Sequence, residues 1–445
     1  MKYFIQTFGC QMNENDSNHL AGLLREAGYS QTAAAEDAEI IVVNTCCVRQ
    51  TAENRAFGYI GSLKGLKEQN PDLIIAVCGC MAQKDGAAAD FLRRYRHVSL
   101  LLGTFALSRL PAHIKTYRDR GEVIVDVEES YKESEDIPFE APVEQGAYKA
   151  QVNIIYGCDN FCSYCIVPYV RGRERSRAPR QILAEINALA KAGVKEVQLL
   201  GQNVNAYGKD LSAKDWDFAR LLSELDSIEG IERIRYMTSH PRDFTPQLTE
   251  TIAASRHICR HFHLPLQSGC DKILAAMNRG YNTAYYARLL ENIRSLAPEA
   301  TITSDIIVGF PGETEEDFQQ TLDFVAACQL DAAYTFIFSK RDGTPAAELP
   351  QQVTAEQKKE RLQRLQAIQN PISLALNNCL VGGRQKIMVE GASKNNPKRW
   401  YGRTEGNKIA VFAYDQSQGL KPGDIVKLSI TAAQTWNLSG EILTP

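Results

Sequence analysis

The sequence predicts an α/β protein made of an N-terminal parallel α/β domain, a central partial (β/α) barrel and a small C-terminal all-β module. Short apolar strands alternate with amphipathic helices over residues 1–102 and again over residues 148–376, which is the pattern of parallel sheets. Beyond residue 378 the pattern changes to short β-rich runs separated by Gly and Pro. At 445 residues the chain is long enough for about three such domains.

The N-terminal domain, placed at residues 1–120, is predicted from alternating strands and helices. The strands are KYFIQTF, EIIVVNT and LIIAV, and helices are expected over Glu14–Ala27 and Ala52–Glu68. Because parallel strands point the same way, the loops after their carboxyl ends lie at one edge of the sheet. Side chains that follow these strands are therefore expected to converge there.

An acidic stretch separates this domain from the barrel. Residues 126–144 hold eight acidic side chains against the single Lys132, a composition that does not pack into a core. We therefore place a linker at residues 121–143, the barrel at residues 144–376 and the all-β module at residues 377–445. The chemistry of such a barrel lies at the carboxyl ends of its strands. The predicted barrel strands are AQVNIIYG, KEVQLLG, IERIRYMT, HFHLPL, TITSDIIVGF and DAAYTFIF.

Composition limits the classes of function. Fifty Lys and Arg against 53 Asp and Glu give a net charge of −3, which excludes a wholly basic nucleic-acid coat but allows a local basic patch. No secretory signal is visible in MKYFIQTFGC, and the longest apolar runs are far shorter than the roughly 20 residues that span a bilayer. We therefore expect a cytoplasmic protein with no membrane association. In that compartment, twelve cysteines indicate metal or redox chemistry rather than disulfides.

The segment GCDNFCSYC carries Cys158, Cys162 and Cys165 in a C-x3-C-x2-C spacing directly after a predicted strand. Three thiolates in one loop can hold three corners of a 4Fe–4S cluster and leave the fourth iron open to a small molecule. Zinc sites usually combine two C-x2-C halves to supply four ligands, and the sequence places no fourth ligand near this loop. The spacing therefore predicts an iron–sulfur cluster with one open iron.

A second set of cysteines follows the three N-terminal strands. Cys10 comes after the first strand, Cys46 and Cys47 after the second and Cys80 after the third, which ends near Cys78. These residues are expected to converge and to hold another three-thiolate cluster, with scattered core thiols as the alternative. Spacing alone leaves Cys47 and Cys78 as rivals to Cys46 and Cys80.

Eight segments together resemble the methylthiotransferases of the radical S-adenosylmethionine superfamily over nearly the whole chain. Among them, NTCCVR and GCMAQ resemble family motifs whose ligands are Cys46 and Cys80, which favours these two together with Cys10. The sequence departs from the family at Cys270, where a small hydroxyl residue is more usual, and at the additional Cys47. The eight segments are TFGCQMNENDS, NTCCVR, GCMAQ, GCDNFCSYCIVPYVRGRERSR, MTSHPRDF, HLPLQSGCDKILAAMNRGY, SDIIVGFPGETEEDF and GRTEGNKIAVF.

The resemblance implies two 4Fe–4S clusters, one auxiliary and one in a radical S-adenosylmethionine barrel, followed by a C-terminal TRAM module that binds RNA. The implied reaction places a methylthio group at carbon 2 of an N6-prenylated adenosine beside the anticodon of tRNA. One S-adenosylmethionine donates its methyl group to sulfur at the auxiliary cluster, and a second is cleaved at the barrel cluster to generate a radical. We expect an external electron donor, a monomer and no side-chain nucleophile.

The same resemblance implies contacts to S-adenosylmethionine. The segment IVGFPGET resembles the part of the barrel that lines the adenine side of this cofactor, although such a Gly-rich turn is often only a strand-to-helix connection. Gln202 and Asn203 are neutral amides at the end of a predicted strand, where they suit an amino acid group or a ribose. The predicted cofactor contacts are Gln202, Asn203, Asp305, Gly309, Gly312 and Glu313.

Two basic segments are candidates for contact with RNA. RGRERSRAPR holds five arginines, whose rigid fork suits phosphate groups, and basic residues of the C-terminal module, including Lys394, interleave with Trp400 and Tyr401. Arginines paired with surface carboxylates and a solvated basic β face are the alternatives. The predicted RNA contacts are Arg171, Arg173, Arg175, Arg177, Lys398, Arg399 and Arg403.

Three other functions remain open. Related methylthiotransferases act on threonylcarbamoyladenosine in tRNA or on an aspartate of a ribosomal protein, and a non-catalytic RNA-binding iron–sulfur protein would only sense redox state. GRERSR and the basic C-terminal segment favour the prenylated tRNA, and the intact cysteine loop favours cleavage of S-adenosylmethionine.

Overall fold

The chain folds as three successive α/β and β units, which confirms the predicted fold class. Its strands form a six-stranded parallel sheet, two three-stranded parallel sheets, a two-stranded ribbon and a closed five-stranded barrel. Residues 129–143 of the predicted linker and Lys394 lie outside the described part of the chain. The computed structural model describes residues 1–48, 50–84, 86–128, 146–213, 215–393, 396–414 and 419–443.

The N-terminal domain is a parallel sheet between two layers of helices. Its strands are β1 (Lys2–Thr7), β2 (Ser30–Gln31), β3 (Ile40–Thr45), β4 (Ile74–Gly79), β5 (Leu100–Leu102) and β6 (Ile124–Asp126), in the order β2-β1-β3-β4-β5-β6. Its helices are α1 (Gln11–Glu26), α2 (Gln50–Gln69), α3 (Ala87–Arg94) and α4 (Leu110–Arg120).

Apolar residues on both faces of β3 explain why helices cover both sides of this sheet. Val42 packs in one core with Leu20 of α1, and Val43 packs in the opposite core with Ile60 of α2. A parallel strand that is buried on both faces is apolar at every position, which is what the run IIVV shows. Strand β6 falls in the segment predicted as linker, so the sheet continues beyond residue 120.

The central domain is the predicted partial barrel, with six parallel strands. These strands are β7 (Lys149–Asn153), β10 (Glu196–Leu200), β11 (Arg233–Tyr236), β12 (His261–His263), β13 (Thr301–Val308) and β14 (Ala332–Ile337); β8 (Ile155–Tyr156) and β9 (Arg175–Ser176) form a separate antiparallel ribbon. The helices are α5 (Val167–Arg171), α6 (Pro179–Lys191), α7 (Phe218–Asp226), α8 (Pro246–Ala254), α9 (Asp271–Ala276), α10 (Thr283–Leu296), α11 (Glu315–Cys328), α12 (Pro345–Glu348) and α13 (Ala355–Asn378).

The strands of the barrel join in the order β7-β10-β11 and β12-β13-β14. A single parallel bridge between Ile234 and Ile258 connects the two halves. The run AQVNIIYG, predicted as one strand, splits at Ile154, after which β8 turns away to pair with β9. This ribbon forms the base of the cysteine-bearing loop.

The C-terminal module is a closed barrel that packs against the amino ends of the central strands. Its strands are β15 (Arg384–Ser393), β16 (Asn396–Arg403), β17 (Ile409–Ala413), β18 (Ile425–Ala433) and β19 (Asn437–Ile442), in the order β15-β16-β17-β19-β18. Arg233, the first residue of β11, donates hydrogen bonds to the carbonyl oxygens of Arg403 at 2.7 Å and Lys386 at 3.0 Å. The module therefore lies at the end of the central barrel opposite to the cysteine loop.

The N-terminal domain is joined to the cysteine loop through its core. Ile166 directly precedes α5 and Val170 lies within it. Both pack in the same apolar cluster as Val43 and Ile60. The hydroxyl of Thr104 donates to Val170 O at 2.6 Å.

None of the described helices combines the length and the hydrophobicity that a membrane span requires.

Candidate iron–sulfur centres and RNA contacts

The barrel cysteines lie in the loop that runs from β8 to α5. Cys162 is buried, whereas Cys158 and Cys165 are half-buried. The backbone amide of Cys158 donates to Gly172 O at 3.1 Å, and the amide of Cys165 donates to Cys162 O at 2.9 Å. The loop thus brings the three predicted ligands together.

This tight loop depends on left-handed backbone conformations at Gly157, with φ of +70°, and at Phe161, with φ of +44°. A Cβ atom on residue 157 would lie 2.0 Å from the carbonyl oxygen of Arg173, so only glycine fits there. Phe161 O accepts a hydrogen bond of 3.0 Å from Asn278 Nδ2, which stabilises the unusual conformation between the first two cysteines.

A turn after α9 holds the cysteine loop from the barrel side. The amide of Ser163 donates to Met277 O at 3.0 Å, and its hydroxyl donates to Ala276 O at 2.8 Å. In the same turn, Arg279 donates from Nη1 to Cys162 Sγ at 3.2 Å. The segment AAMNRGY contains Arg279, but nothing in the local sequence indicates that this arginine is buried beside a sulfur.

Burial raises the pKa of Cys158 to about 11 and that of Cys165 to about 12, so the free thiols are protonated near neutral pH and a metal must displace those protons. Among the residues that the structure describes, no three His, Cys, Asp or Glu side chains approach closely enough to hold a single metal ion. Several irons separate the thiolates of a cluster, so three cysteines in one loop fit a cluster better than a lone ion.

The N-terminal cysteines converge at the carboxyl edge of their sheet, where the sequence predicted them. Cys10 is the residue before α1, Cys46 and Cys47 follow β3, and Cys80 follows β4. The amide of Cys80 donates to Thr45 O at 2.9 Å, and Cys47 and Cys80 pack in the same buried cluster. Cys47 is therefore as much a part of this site as Cys46.

Two of these four thiols ionise easily. The hydrogen bond with Cys46 lowers the pKa of Cys10 to about 6, and the hydrogen bond with Cys47 lowers the pKa of Cys80 to about 7. The same hydrogen bonds, together with burial, raise the pKa of Cys46 and Cys47. A site with two thiolates near neutral pH is prepared for a thiophilic metal centre.

A buried amide network fixes Cys10 relative to Cys46. Asn13 and Asn44 are both fully buried. Asn13 Nδ2 donates to Thr45 O at 3.0 Å and to Asn44 Oδ1 at 3.1 Å, and Cys10 Sγ lies 3.4 Å from Asn13 Oδ1. The start of α1 is thereby tied to the end of β3.

Two predicted RNA contacts, Arg171 and Arg177, are corrected by the structure. Their exposed fractions are only 6% and 5%, and they pair at 2.7 Å with Asp16 and Glu185 respectively. A buried arginine with a carboxylate partner cannot also reach an RNA phosphate. The sequence could not distinguish these from the exposed arginines, since all alternate along one segment.

The remaining arginines of this segment lie nearer to solvent. The side chain of Arg173 is 73% exposed and donates to both carboxylate oxygens of Asp159, at 2.7 and 3.1 Å. Arg175 is half-buried in β9.

In the C-terminal module the predicted RNA contacts divide into two groups. Lys398 and Arg399 on β16 are exposed. Arg403 is half-buried, donates to Glu390 Oε1 at 3.1 Å and lines a cavity of about 630 Å³ shared with the central barrel. The Trp400 ring lies over that of Tyr414, with 4.1 Å between their centroids.

The predicted cofactor contacts lie after or within barrel strands. Asn203, after β10, is buried and donates from Nδ2 to Asp243 Oδ2 at 2.8 Å, while its Oδ1 atom has no protein partner in the described structure. Gln202 beside it is half-buried. Asp305 in β13 lies 3.5 Å from His263 Nε2. Asn203 thus offers a free buried acceptor at the carboxyl end of the barrel.

The Gly-rich segment is held in place by Glu313. The Glu313 carboxylate accepts hydrogen bonds from the Gly309 amide at 2.9 Å and from Arg361 at 2.8 Å, so it stabilises this turn instead of facing a ligand. Gly309 and Gly312 have φ of +71° and +79°. A Cβ atom on residue 309 would lie 2.3 Å from Lys358 Cγ, which explains the requirement for glycine.

Three protein-family models match successive parts of the chain. The model of Uncharacterized protein family UPF0004 matches residues 2–103, the Radical SAM superfamily matches residues 152–325, and the TRAM domain matches residues 380–443.

Full-length relatives and solved structures also resemble the chain. A tRNA-2-methylthio-N(6)-dimethylallyladenosine synthase of Pelotomaculum thermopropionicum is 50% identical over 99% of this chain and 97% of its own length. One from Desulforamulus reducens is 49% identical over 99% of this chain and 95% of its own. The radical S-adenosylmethionine methyltransferase TsrM from Kitasatospora setae, solved with cobalamin and a [4Fe-4S] cluster, shares the fold with a TM-score of 0.56 at 14% identity, over 78% of this chain and 74% of that one.

Proposed function

We propose a function from the premise that this chain belongs to the tRNA-2-methylthio-N(6)-dimethylallyladenosine synthase family, as its near-full-length identity of 50% and 49% to two such enzymes shows. It is a radical S-adenosylmethionine methylthiotransferase that modifies carbon 2 of N6-dimethylallyladenosine in tRNA. It uses S-adenosylmethionine and two 4Fe–4S clusters. The proposal further includes a substrate position near the anticodon, an external electron donor and a monomeric, cytoplasmic state.

Cys158, Cys162 and Cys165 are proposed as ligands of the barrel cluster. Their loop is closed by backbone hydrogen bonds and held by the turn at Asn278 and Arg279. When bound, this cluster supplies the electron that cleaves S-adenosylmethionine, and the auxiliary cluster is the site of the sulfur that is transferred. The protein positions both and keeps water out through the packing of α5 against the N-terminal core.

Cys10, Cys46 and Cys80 are proposed as ligands of the auxiliary cluster. The ready ionisation of Cys10 and Cys80 supports two of the three positions. Cys47 is the competitor of Cys46, because both follow β3 and both are buried.

S-adenosylmethionine is proposed to bind across the carboxyl ends of the barrel strands. The free acceptor of Asn203 supports its predicted contact, and Gln202 and Asp305 lie on the same side of the barrel. Gly309 and Gly312 give close backbone access, and Glu313 acts indirectly by holding their turn.

The tRNA is proposed to contact the exposed Lys398 and Arg399 of the C-terminal module, together with Arg173 and Arg175 near the barrel loop. Exposed cations suit phosphates, and each one neutralised makes binding more sensitive to salt. Arg403 is proposed only as a peripheral contact with tRNA, because its side chain forms an ion pair with Glu390.

The observation that carries the proposal is the pair of cysteine sets in two domains that share one core. A decisive experiment is anaerobic reconstitution with iron and sulfide, followed by iron counting. Wild type should bind about eight irons and Cys158→Ala/Cys162→Ala/Cys165→Ala about four, which corresponds to two independent 4Fe–4S clusters. About four irons in wild type and none in the variant would leave a single cluster and contradict sulfur insertion.

Substrate choice is tested with two tRNA preparations. The reconstituted wild type should add one methylthio group, detected by nucleoside mass spectrometry, to tRNA carrying N6-dimethylallyladenosine and not to tRNA carrying threonylcarbamoyladenosine. Modification of the second tRNA alone would overturn the proposed substrate. Binding of tRNA without cleavage of S-adenosylmethionine would instead favour a redox sensor.

A further inference from the structure

Arg279 is a buried cation beside the middle cysteine of the barrel loop. Its exposed fraction is 4%. Nη1 donates to Cys162 Sγ at 3.2 Å, Nη2 donates to Pro265 O at 2.9 Å, and Nε donates to the Tyr281 hydroxyl at 3.1 Å. These anchors fix the guanidinium in one orientation against the sulfur.

No carboxylate forms an ion pair with Arg279 within the part of the chain that the structure describes. Of the five other buried arginines, four pair with a carboxylate, and the fifth, Arg233, donates to backbone carbonyl oxygens: the four are Arg171, Arg177, Arg235 and Arg361. Arg279 differs from all five because one of its donors faces a cysteine sulfur. This contact places a buried cation beside a group that becomes negatively charged when it binds a metal.

Side-chain donors face the sulfur atoms of two of the three cysteines. Cys162 has the arginine, and Cys158 accepts a neutral hydrogen bond of 3.4 Å from Asn160 Nδ2. A guanidinium stays charged in proteins, so Arg279 is a cation in direct contact with one ligand sulfur, and its charge also acts on Cys165.

We infer that Arg279 is a positioning residue that holds the Cys162 thiolate and raises the reduction potential of the barrel cluster. This inference rests on the proposed cluster at Cys158, Cys162 and Cys165. Reduction adds one negative charge to the cluster, and a cation in contact with a ligand sulfur stabilises the reduced form more than the oxidised form. Hydrogen bonds to sulfur and net charge are known determinants of such potentials.

The test uses full-length protein in which the N-terminal thiols are removed by Cys10→Ala/Cys46→Ala/Cys47→Ala/Cys80→Ala, so that one cluster remains. Arg279→Gln and Arg279→Lys are compared with this parent after anaerobic reconstitution. The matched control is Arg242→Gln, because Arg242 is an exposed arginine that bonds to Asn160 Oδ1 on the same loop without contacting a sulfur. Iron per chain is counted. Electron paramagnetic resonance then measures the ratio of reduced to oxidised cluster over a series of applied potentials, without S-adenosylmethionine.

At the midpoint potential of the parent, Arg279→Gln should lower the ratio of reduced to oxidised cluster at least tenfold, which is a shift of about 59 mV for one electron. Arg279→Lys should lower it less, and Arg242→Gln should change it less than twofold. A loaded Arg279→Gln protein with the parental ratio would overturn the inference. So would an equal shift in Arg242→Gln, because the effect would then not require contact with sulfur.

Loss of the cluster in Arg279→Gln is interpreted by comparison with Arg279→Lys. Arg279→Gln removes the charged donor to Pro265 O, although Tyr281 still donates to that oxygen at 3.0 Å, so the iron-free variant should melt somewhat lower than its iron-free parent. Iron loss that Arg279→Lys restores, at a similar melting temperature of the two iron-free variants, would support the charge contact. Iron loss that lysine does not restore would assign Arg279 a purely structural role. A parent that binds no iron would refute the proposed cluster itself before any Arg279 variant is considered.

Discussion

Arg171, the last residue of α5, donates a hydrogen bond of 2.7 Å to Asp16 in α1, and both side chains are buried. Helix α5 begins shortly after Cys165, and α1 begins directly after Cys10. This ion pair therefore joins the two elements that carry the two cysteine sets. It fixes the distance between the proposed clusters through a contact between domains.

Removal of one partner should destabilise the protein strongly. Arg171→Ala leaves the Asp16 carboxylate buried without a cation, which we expect to lower the free energy of unfolding of the iron-free protein by about 3–5 kcal/mol. Arg171→Met/Asp16→Leu should recover most of this loss. The measurement is urea unfolding followed by circular dichroism.

The control for this prediction comes from the same arginine segment. Arg173→Ala breaks a pair whose arginine is 73% exposed, so its effect should stay within about 1 kcal/mol. Equal losses for the two single variants would show that burial of the Arg171 pair is unimportant.

Gly157→Ala should abolish the barrel cluster and spare the auxiliary one. The added Cβ atom would lie 2.0 Å from Arg173 O, so the loop between β8 and α5 cannot close. We expect iron to fall from about eight to about four per chain, measured after anaerobic reconstitution.

Gly193→Ala is the matched control for Gly157→Ala. Gly193 also has a positive φ, of +93°, but nothing lies within 4 Å of its added Cβ atom. It should therefore keep its full iron content and lose only about 1–2 kcal/mol of stability from backbone strain. A Gly157→Ala protein with full iron content would show that the loop tolerates a different closure.

Lys398→Ala/Arg399→Ala should weaken tRNA binding in a salt-dependent way. Both side chains are exposed on β16. If each neutralises one phosphate, the slope of log affinity against log salt should become shallower by about 0.7–0.9 per residue. Filter binding over a series of salt concentrations measures this slope.

Lys64 is an accessible cation of the N-terminal domain, because its side chain is 68% exposed and pairs with Glu68. Lys64→Ala should leave the slope of log affinity against log salt unchanged, because Lys64 is not among the proposed RNA contacts. The same slope for Lys398→Ala/Arg399→Ala and wild type would exclude these residues from the RNA interface.

Arg233→Gln should loosen the C-terminal module. The substitution removes hydrogen bonds from a charged donor to the carbonyl oxygens of Arg403 and Lys386, each of which contributes about 1.5–3 kcal/mol. We expect a protease to cleave the chain in residues 379–383 faster than in wild type. Gel electrophoresis of timed samples measures this rate. Arg256→Gln, on an exposed arginine nearby, should leave the rate unchanged. Equal rates in all three proteins would show that other contacts suffice for docking.

Local sequence patterns were sufficient to predict the fold class and the edge of the sheet at which the N-terminal cysteines lie. Alternation of strands and helices specifies parallel sheets, and their carboxyl ends bring Cys10, Cys46 and Cys80 together although they are far apart along the chain. The loop of Cys158 was recognisable because its ligands are neighbours in sequence. These are local patterns whose spatial consequence follows from the geometry of a parallel sheet.

Which charged residues are buried, and which partners they have, depends on contacts between elements that are distant in sequence. Within one segment Arg173 is exposed while Arg171 is paired with Asp16, which lies 155 positions away. Arg279 donates a hydrogen bond to Cys162, which lies 117 positions away in the sequence. Burial and charge pairing arise when distant elements pack against each other. The local sequence around an arginine does not specify those contacts, so it does not predict whether the side chain is buried or which carboxylate pairs with it.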